Sequence, residues 1–440
     1  MDFPRKLKKL LRMTHGDEEI LVDPSRNFFV RTSNAMRTFL ELCEHFDEET
    51  IRAELLDRYS RDDVNRLFMD VELNSESLFW QSMGPTRSDR GLRQSLKTLT
   101  LNCCRGCNMS CSYCFEGIPF RRLEGMMKIE TALRAVELFW ERRRDERLTV
   151  IFTGGEPLLN LSLIEEVVQH ACKQGWSFEY LIKTNGTLLS DAVADFLVEN
   201  NFRIQISLDG DKETHNRHRA FRNGRSTFRH VDQAIRRLID RGYGGHVSLA
   251  GTVTHFTIGE LQRSYRYLSQ YDEVSNYGIR PVMVESQSAF SLTDMDYSSY
   301  VEETVSEYAG VYGRKTSPKV SIVDEYVCSI GVWNVTVDCD GMIYPCYRLC
   351  GLESFAIGNL FESGLELSDL PGDLKAIYAM EDREECTNCY AFRTCRSGCY
   401  AEKLLERKVD FCNTRSKTTS DLVLRAMLVE NGVYKLLPTI

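Results

Sequence analysis

Three cysteines lie close together at Cys107, Cys111 and Cys114, separated by three and by two residues. Thiolates at these spacings can wrap one face of a four-iron cluster. A structural zinc site normally closes its shell with four ligands, so a set of three leaves one iron open to bind another molecule. Cys103 and Cys104 could in principle complete a shell, but adjacent cysteines are poorly placed for one site. We interpret that pair as packing at a strand end.

A second group of cysteines lies in the last third of the chain. Nine of the 16 cysteines fall between positions 328 and 412. Cys43 and Cys172 stand alone and are interpreted as small core hydrophobes. A disulfide framework is typical of small secreted domains, whereas this chain has 440 residues. Clustered thiols in a reducing compartment more often bind metal, so the sequence predicts a metalloprotein.

The elements that must position the first cysteines alternate between strand and helix from about residue 95 to 312. Predicted strands are 96–101, 148–152, 179–183, 202–208, 247–253 and 277–284, with helices near 129–144, 162–174, 190–200, 226–241, 258–271 and 297–312. Such repeats favour an α/β fold with a parallel sheet, and six of them suit a partial (β/α)6 barrel. Active sites of such sheets collect at the carboxyl ends of the strands, where the cysteine loop is expected.

The N-terminal part of the chain has the pattern of a separate small unit. Residues 1–15 carry five basic side chains among leucines, which favours an amphipathic surface helix over a membrane or nucleic-acid contact. Over 18–82 we predict a strand at 27–32, helices capped by Ser33, Asp47 and Ser60, and a short strand at 78–80. The predicted domains are a winged-helix-like unit at 1–90, the barrel at 91–315, and a loop-rich metal domain with a C-terminal helix at 316–440.

The first cysteine motif, with Tyr113 before its last cysteine, resembles the signature of the radical S-adenosylmethionine (SAM) superfamily. Further matching residues follow the second and third predicted strands, namely Gly154, Gly155, Glu156, Pro157, Thr184 and Asn185. The resemblance implies that backbone carbonyls of the first group receive the ammonium group of SAM, and that the second lies near its ribose. The glycines would let backbone approach a ligand closely, and a turn of purely structural purpose is the alternative.

A third matching segment follows the fourth predicted strand. The resemblance assigns Ser207 and Arg219 to polar groups of SAM, with Asp209 as a further contact. His215 and His218 are interpreted as parts of a solvated charged loop rather than as metal ligands. The resemblance further implies that SAM binds the open iron and, after one-electron reduction, yields a 5′-deoxyadenosyl radical that removes hydrogen from an unactivated carbon.

The downstream cysteines resemble the SPASM extension of radical SAM enzymes, which holds two auxiliary four-iron clusters. By this resemblance the distal cluster is bound by Cys386, Cys389, Cys395 and Cys412, and the proximal cluster by Cys328, Cys346 and Cys399. Many relatives supply a fourth proximal ligand where this chain has Trp333 and Asn334. The alternatives for this fourth ligand are Cys339, Cys350 or an open iron. Both cysteines can also be interpreted as buried thiols. A zinc ribbon at 386–389 is a further alternative.

Composition narrows the classes of partner. The chain has 55 basic and 64 acidic residues, a net charge of −9, which argues against a broad basic surface for nucleic acid. No apolar run approaches the roughly 18 residues of a membrane span. The first residues lack an apolar signal-peptide core, so we expect a cytosolic protein without membrane contact.

These resemblances imply a maturase of a ribosomally made peptide. The unit at 18–82 resembles the recognition element of peptide maturases, which binds a precursor's leader as an added edge strand, and a structural cap on the barrel is the alternative. The enzyme would install a thioether or carbon–carbon cross-link and take electrons from a donor such as flavodoxin or ferredoxin. Two other hypotheses are oxidation of a Cys or Ser side chain in a protein, as in sulfatase-activating relatives, and a non-catalytic iron–sulfur electron carrier.

Overall fold

The computed structural model of the protein describes residues 11–15, 18–23, 28–73, 96–114, 125–143, 148–284, 288–311, 334–362 and 401. The buried apolar side chains of these residues form two separate clusters, one before residue 74 and one after residue 95. None of the helices within these ranges combines the length and the apolar composition that crossing a bilayer requires.

The first unit is a three-stranded antiparallel sheet followed by three helices. The strands are β1 (Leu11–His15), β2 (Glu18–Asp23) and β3 (Phe28–Thr32), with β2 in the centre, and the helices are α1 (Asn34–Leu42), α2 (Glu48–Arg58) and α3 (Arg61–Leu73). The helix predicted over 1–15 was wrong in its described part, because Leu11–His15 pairs with β2 along its whole length. Isolated helices shorter than about 12 residues are marginal in water, whereas the strand gains cross-strand partners.

The predicted starts of the three helices are confirmed. The side-chain oxygens of Ser33, Asp47 and Ser60 accept hydrogen bonds from backbone N–H groups three residues later, at 3.1, 2.8 and 3.2 Å. The helices enclose fully buried apolar side chains, namely Phe39, Ile51, Leu55, Val64 and Val71. The strand predicted at 78–80 and the linker predicted at 81–90 lie outside the described residues.

Six parallel strands form the centre of the second unit, hydrogen-bonded in sequence order: β4 (Thr98–Cys104), β5 (Leu148–Gly154), β6 (Phe178–Thr184), β7 (Arg203–Ser207), β8 (Val247–Val253) and β9 (Asn276–Pro281). The helices are α4 (Ile129–Glu141), α5 (Leu161–Gln174), α6 (Asp191–Glu199), α7 (Lys212–His218), α8 (Phe228–Asp240), α9 (Leu261–Leu268) and α10 (Asp294–Val311). The predicted α/β class and parallel sheet are confirmed. Each predicted strand overlaps an observed one, whereas α7 was not predicted.

The two faces of this sheet differ in polarity. One face packs against the helices through fully buried side chains, such as Leu101, Val150, Phe152, Ile182 and Ile204. Because side chains alternate along a strand, the intervening positions share the opposite face. They include Thr100, Asn102, Thr153, Lys183, Gln205, Ser207 and Thr252. Parallel sheets are usually apolar on both faces, so this polar lining indicates a ligand cavity.

The sheet continues beyond β4, on the side away from β5. β10 (Asn334–Val337) pairs in parallel with β4, and β11 (Met342–Tyr344) and β12 (Gly358–Asn359) complete nine strands. The buried carboxylate of Asp338 accepts a hydrogen bond from Asn102 at 2.8 Å and binds Arg105 at 2.6 Å. The sheet thus joins residues on both sides of the boundary predicted at residue 315. Strands this short carry too little periodicity to be recognised in the sequence.

Candidate active site

The loop that carries Cys107, Cys111 and Cys114 follows the carboxyl end of β4 and is held by a second segment, 218–222. The N–H of Ser110 donates a hydrogen bond to the carbonyl of Ala220 at 2.8 Å, and the N–H of Ser112 to that of His218 at 3.0 Å. The side chains of Ser112 and His218 also hydrogen-bond, at 2.8 Å. Main-chain and side-chain contacts therefore fix the path of the loop between the cysteines.

Burial governs the protonation of the thiols. It raises the pKa of Cys107 to about 12 and that of Cys111 to about 11, in the second case against the positive charge of Arg219. A thiolate there requires a cation to replace the proton. Among the described residues, no three His, Cys, Asp or Glu side chains surround one ion position. A four-iron cluster does not need such convergence, because each thiolate binds a different iron, so the three thiols fit a cluster.

Gly154 and Gly155 bring the end of β5 against the loop after β4. The N–H of Gly155 donates to the carbonyl of Cys104 at 2.8 Å, and the N–H of Glu156 to that of Gly106 at 3.0 Å. A Cβ on Gly154 would lie 2.3 Å from the Cys104 oxygen, and one on Gly155 would lie 2.2 Å from the Gly106 oxygen. Only glycine permits these backbone contacts. The fold itself therefore requires both glycines, whether or not a ligand also approaches them.

The carboxylate of Glu156 joins the ends of β5 and β6. It accepts hydrogen bonds from the hydroxyl of Thr184 at 2.6 Å, from the N–H of Asn185 at 2.7 Å and from the N–H of Leu158 at 3.1 Å. Burial raises the pKa of Glu156 to about 7, although these donors oppose the change. Pro157, also buried, opens a short 3₁₀ helix. Glu156 and Thr184 thus hold two strand ends together, and a direct contact of either with SAM stays a prediction.

Asn185 lies beside the first cysteine of the loop. Its side-chain NH₂ donates to Asn108 at 2.9 Å and is 3.6 Å from the Cys107 sulfur. Its side-chain oxygen accepts hydrogen bonds from the N–H and the hydroxyl of Thr187, at 2.9 and 2.7 Å. The Thr187 donors therefore keep the NH₂ turned towards the thiol. Hydrogen bonds of this kind tune the sulfur ligands of metal clusters.

Three of the predicted residues meet in one buried network. One carboxylate oxygen of Asp209 accepts hydrogen bonds from the Tyr113 hydroxyl at 2.5 Å and from Arg219 Nε at 2.9 Å. The other oxygen accepts from the N–H of Thr252 on β8 at 2.8 Å. Arg219 also lies close enough to Cys111 to hydrogen-bond with it. The structure thus brings Tyr113, Asp209 and Arg219 together beside the cysteine loop.

His215 and His218 lie on α7 and are buried, so their interpretation as parts of a solvated loop was wrong. His215 Nδ1 is 3.4 Å from the N–H of Asp209, and Nε2 is 3.0 Å from the Thr227 hydroxyl. That hydroxyl donates to the carbonyl of Arg219 at 2.8 Å, so the proton shared with His215 must sit on Nε2. Burial lowers the pKa of His215 to about 4, which keeps the imidazole neutral. Asp211, the N-cap of α7, is the sequence signal that could have revealed this helix.

Ser207 and four cysteines outside the cysteine loop were also interpreted from the sequence. Ser207 is the last residue of β7 and lies on the polar face of the sheet, paired with Ala250 of β8. Cys103 and Cys104 are buried, as the packing interpretation requires, and so is Cys43. Cys172 is exposed, so its assignment to the core was wrong, because it lies on the outer face of α5.

The downstream cysteines are described only in part. Cys339, Cys346 and Cys350 lie within the described residues, whereas Cys328, Cys386, Cys389, Cys395, Cys399 and Cys412 lie outside them. The thiol of Cys339 donates to the carbonyl of Asn102 at 3.1 Å, and burial raises its pKa to about 12. This arrangement favours the interpretation of Cys339 as a buried thiol that packs against β4.

Comparison with known proteins gives consistent matches. Residues 101–268 match the model of the radical SAM superfamily. A cysteine-type anaerobic sulfatase-maturating enzyme of Clostridium perfringens is 26% identical over 326 residues, 67% of this chain and 86% of the relative. The solved structure of native anSMEcpe with bound AdoMet and Cp18Cys peptide has a TM-score of 0.64 at 22% identity, over 77% of this chain and 99% of that one. Streptococcus suis SuiB bound to precursor peptide SuiA has a TM-score of 0.52 at 14% identity, over 94% and 99%.

Proposed function

We propose that this chain, whose residues 101–268 match the model of the radical SAM superfamily, is a radical SAM peptide maturase. Its substrate would be a ribosomally made precursor peptide, in which it removes a hydrogen and installs a thioether or carbon–carbon cross-link. The observation that carries this proposal is the separate N-terminal unit, a sheet and three helices with their own core.

The N-terminal unit supports binding of a peptide leader. In the described sheet, β1 and β3 each pair with one neighbour only, so each presents a backbone edge to which a peptide strand can add. The fold of peptide-bound SuiB covers 94% of this chain, whereas that of anSMEcpe covers 77% of it while using 99% of its own length. This chain is thus longer than the part that matches the sulfatase-maturating fold, and a leader-binding unit would account for the difference.

The cofactors are SAM and a four-iron cluster, which together supply a carbon-centred radical able to remove hydrogen from the substrate. Cys107, Cys111 and Cys114 would hold the cluster, with the NH₂ of Asn185 directed at Cys107. Arg219 and Ser207 would hold polar groups of SAM. Asp209 orients the guanidinium of Arg219 through the hydrogen bond at 2.9 Å, so its direction is set before SAM binds.

Two auxiliary four-iron clusters complete the proposal. The distal cluster would be bound by Cys386, Cys389, Cys395 and Cys412, and the proximal one by Cys328, Cys346 and Cys399. Their role would be to accept the electron that the substrate radical must lose for the new bond to form. A flavodoxin or ferredoxin of the cytosol would supply the electron that starts each cycle.

Sulfatase-maturase-like oxidation of a Cys or Ser side chain in a protein is the second candidate. The observation that favours it is the 26% identity to the Clostridium perfringens enzyme over 326 residues. Both candidates need the same cysteine loop and the same SAM contacts. They differ in the substrate and in the product, which is a cross-link in the first case and an aldehyde in the second.

Mass spectrometry after coexpression with a candidate precursor peptide separates the two candidates. A cross-link removes two hydrogens and keeps every sulfur, whereas oxidation of Cys to an aldehyde replaces the sulfur by oxygen. Oxidation of Ser to an aldehyde also removes two hydrogens, but its product reacts with a hydrazide and a cross-link does not. We expect a peptide encoded beside the gene, rich in Cys or aromatic residues, to lose two hydrogens only when the cysteine loop is intact. An unchanged precursor together with conversion of a sulfatase-derived Cys peptide would favour the second candidate. Reduced protein that forms no 5′-deoxyadenosine from SAM would eliminate both.

A further inference from the structure

A strongly basic segment follows the start of α7. Residues 214–231 include five arginines and no acidic residue, although the chain as a whole has a net charge of −9. Two of these arginines pair with carboxylates of the described residues, Arg217 with Glu260 and Arg219 with Asp209. The other three are exposed and form no ion pair and no side-chain hydrogen bond within the described part of the chain. We call them the basic patch: Arg222, Arg225 and Arg229.

The first two arginines of the patch lie on a tight hairpin at 220–226, which is closed by a bridge between its two end residues. The N–H of Phe221 donates a hydrogen bond to the carbonyl of Arg225 at 2.9 Å, and the N–H of Gly224 donates to that of Phe221 at 2.8 Å. Gly224 has a φ of +79°, which suits a tight turn. The ring of Phe221 packs edge-on against His230 of α8, with centroids 5.1 Å apart. The backbone that carries the patch therefore has a defined shape before any partner binds.

The same hairpin packs against the cysteine loop. The N–H of Arg222 donates to the carbonyl of Asn108 at 3.3 Å, and Phe221 forms an antiparallel bridge with Met109. Asn108 directly follows Cys107, the first cysteine of the loop. A molecule that contacts the patch therefore lies beside the loop that would hold the first cluster. Electron transfer between proteins requires such an approach, because it is fast only over short distances.

The shape of the hairpin favours a shallow contact over a peptide groove. Its tip protrudes, since a Cβ built on Gly224 would meet no atom within 4 Å. The residues between and beside the arginines of the tip are small or polar and exposed, namely Asn223, Gly224 and Ser226. They offer no apolar pockets of the kind that hold the side chains of a bound peptide. Complexes of redox proteins, in contrast, have small interfaces and rely on complementary charge.

We propose that the basic patch is the docking surface for the electron donor, a small acidic flavodoxin. Carboxylates of the flavodoxin pair with the three guanidinium groups, and its flavin faces the cysteine loop. One electron then leaves the reduced flavin and enters the four-iron cluster, and no bond forms or breaks. Because the rest of the chain is acidic, a local positive patch also orients the donor as it approaches. The inference rests on the proposed function in one respect, that the cysteine loop holds a cluster that must be reduced.

One purified acidic flavodoxin serves as the probe in two measurements. Surface plasmon resonance measures the affinity of the oxidised flavodoxin for the reconstituted full-length enzyme and needs no turnover. The initial rate of 5′-deoxyadenosine formation is then measured with the same flavodoxin, reduced beforehand and kept below saturation. Dithionite, a small reductant that needs no docking surface, replaces it in a parallel series. Both measurements use an ionic strength of about 10 mM, where the Debye length is about 30 Å.

The patch variant replaces all three arginines of the basic patch with glutamine. The matched control replaces Arg134, Lys173 and Arg203 with glutamine, so that it has the same net charge, and these three residues are exposed on α4, α5 and β7. We expect the patch variant to bind flavodoxin roughly tenfold more weakly, on the scale of three exposed ion pairs. Its flavodoxin-driven rate should fall by a similar factor, with the dithionite-driven rate unchanged and the control like the wild type. At about 1 M salt, where the Debye length is about 3 Å, the patch variant and the wild type should bind alike.

Four outcomes would overturn the docking surface. The first is a wild type that does not bind flavodoxin, and the second is a patch variant that binds it as tightly as the wild type at low salt. The third is an equal loss in the control, which would assign the effect to net charge alone. The fourth is a patch variant that loses affinity for the precursor peptide and keeps its affinity for flavodoxin, which would assign the arginines to the substrate. Absence of 5′-deoxyadenosine from the wild type with dithionite would be a failure of the proposed function, and the binding measurements would still test the surface.

Discussion

His215 should stabilise the fold only while it is neutral, and its replacement by leucine isolates that effect. The imidazole connects Asp209 with Thr227, and Thr227 in turn binds the carbonyl of Arg219. His215→Leu leaves the buried N–H of Asp209 without its acceptor and the Thr227 hydroxyl without its donor. A buried polar group without a partner costs about 1–3 kcal/mol. We expect the free energy of unfolding at pH 7.5 to fall by roughly 2–4 kcal/mol.

The dependence on pH follows from the depressed pKa of His215. A histidine of the unfolded chain titrates near 6.5, whereas burial lowers the pKa of His215 to about 4. Below pH 6.5 the unfolded chain binds a proton at His215 that the folded protein does not bind. The contribution of His215 to the free energy of unfolding is therefore present above pH 6.5 and is lost as the pH falls towards 4. At 1.36 kcal/mol per pKa unit, the loss is about 3 kcal/mol in total and about 2 kcal/mol by pH 5.

Urea denaturation of the metal-free, reduced protein between pH 5 and 7.5, followed by circular dichroism, measures this difference. The curves of free energy of unfolding against pH should converge for the wild type and His215→Leu as the pH falls. His45→Leu, which removes an exposed imidazole beyond the end of α1, is the control and should change stability by about 0.5 kcal/mol or less at pH 7.5. Parallel curves for the wild type and His215→Leu would refute the assignment of a neutral, buried imidazole.

Three further predictions concern the cysteines and their surroundings. Anaerobically reconstituted protein should hold about 12 irons per chain, from three four-iron clusters, and a value of about four would mean that the downstream cysteines do not bind clusters. Alanine in place of all three cysteines of the loop should abolish SAM cleavage and spare the auxiliary irons, whereas surviving cleavage would contradict the assignment. Asp338→Asn should lower the free energy of unfolding by roughly 1–3 kcal/mol, because Arg105 loses a buried partner while it keeps Asp340, and loss of under about 0.5 kcal/mol by urea denaturation would contradict that role.

The sequence predicted the barrel well because its signals are local and periodic. The strand predicted at 247–253 matches β8, and the caps at Ser33, Asp47 and Ser60 are observed. The residues around the cysteine loop followed from a resemblance, not from periodicity. The resemblance identified Asp209 and Arg219 as site residues, but it did not predict the salt bridge of 2.9 Å between them.

Features that depend on distant contacts were missed. The pairing of β10 with β4 joins residues more than 200 positions apart through Asn102, Arg105 and Asp338, which no local pattern encodes. The burial of His215 was missed for a different reason, because its partners Asp209 and Thr227 lie only 6 and 12 positions away but flank α7, a helix that was not predicted. A run of charged residues was interpreted as solvated because its partners could not be seen in the sequence.

Three thiolates should leave one iron of the first cluster open for SAM. Electron–nuclear double resonance of the reduced enzyme with SAM labelled with ¹⁵N in its amino group tests this directly, in a variant whose auxiliary-cluster cysteines are replaced by alanine. We predict a ¹⁵N hyperfine coupling to the cluster that disappears with unlabelled SAM. A fully reduced cluster without that coupling, or bound zinc in place of iron, would contradict it.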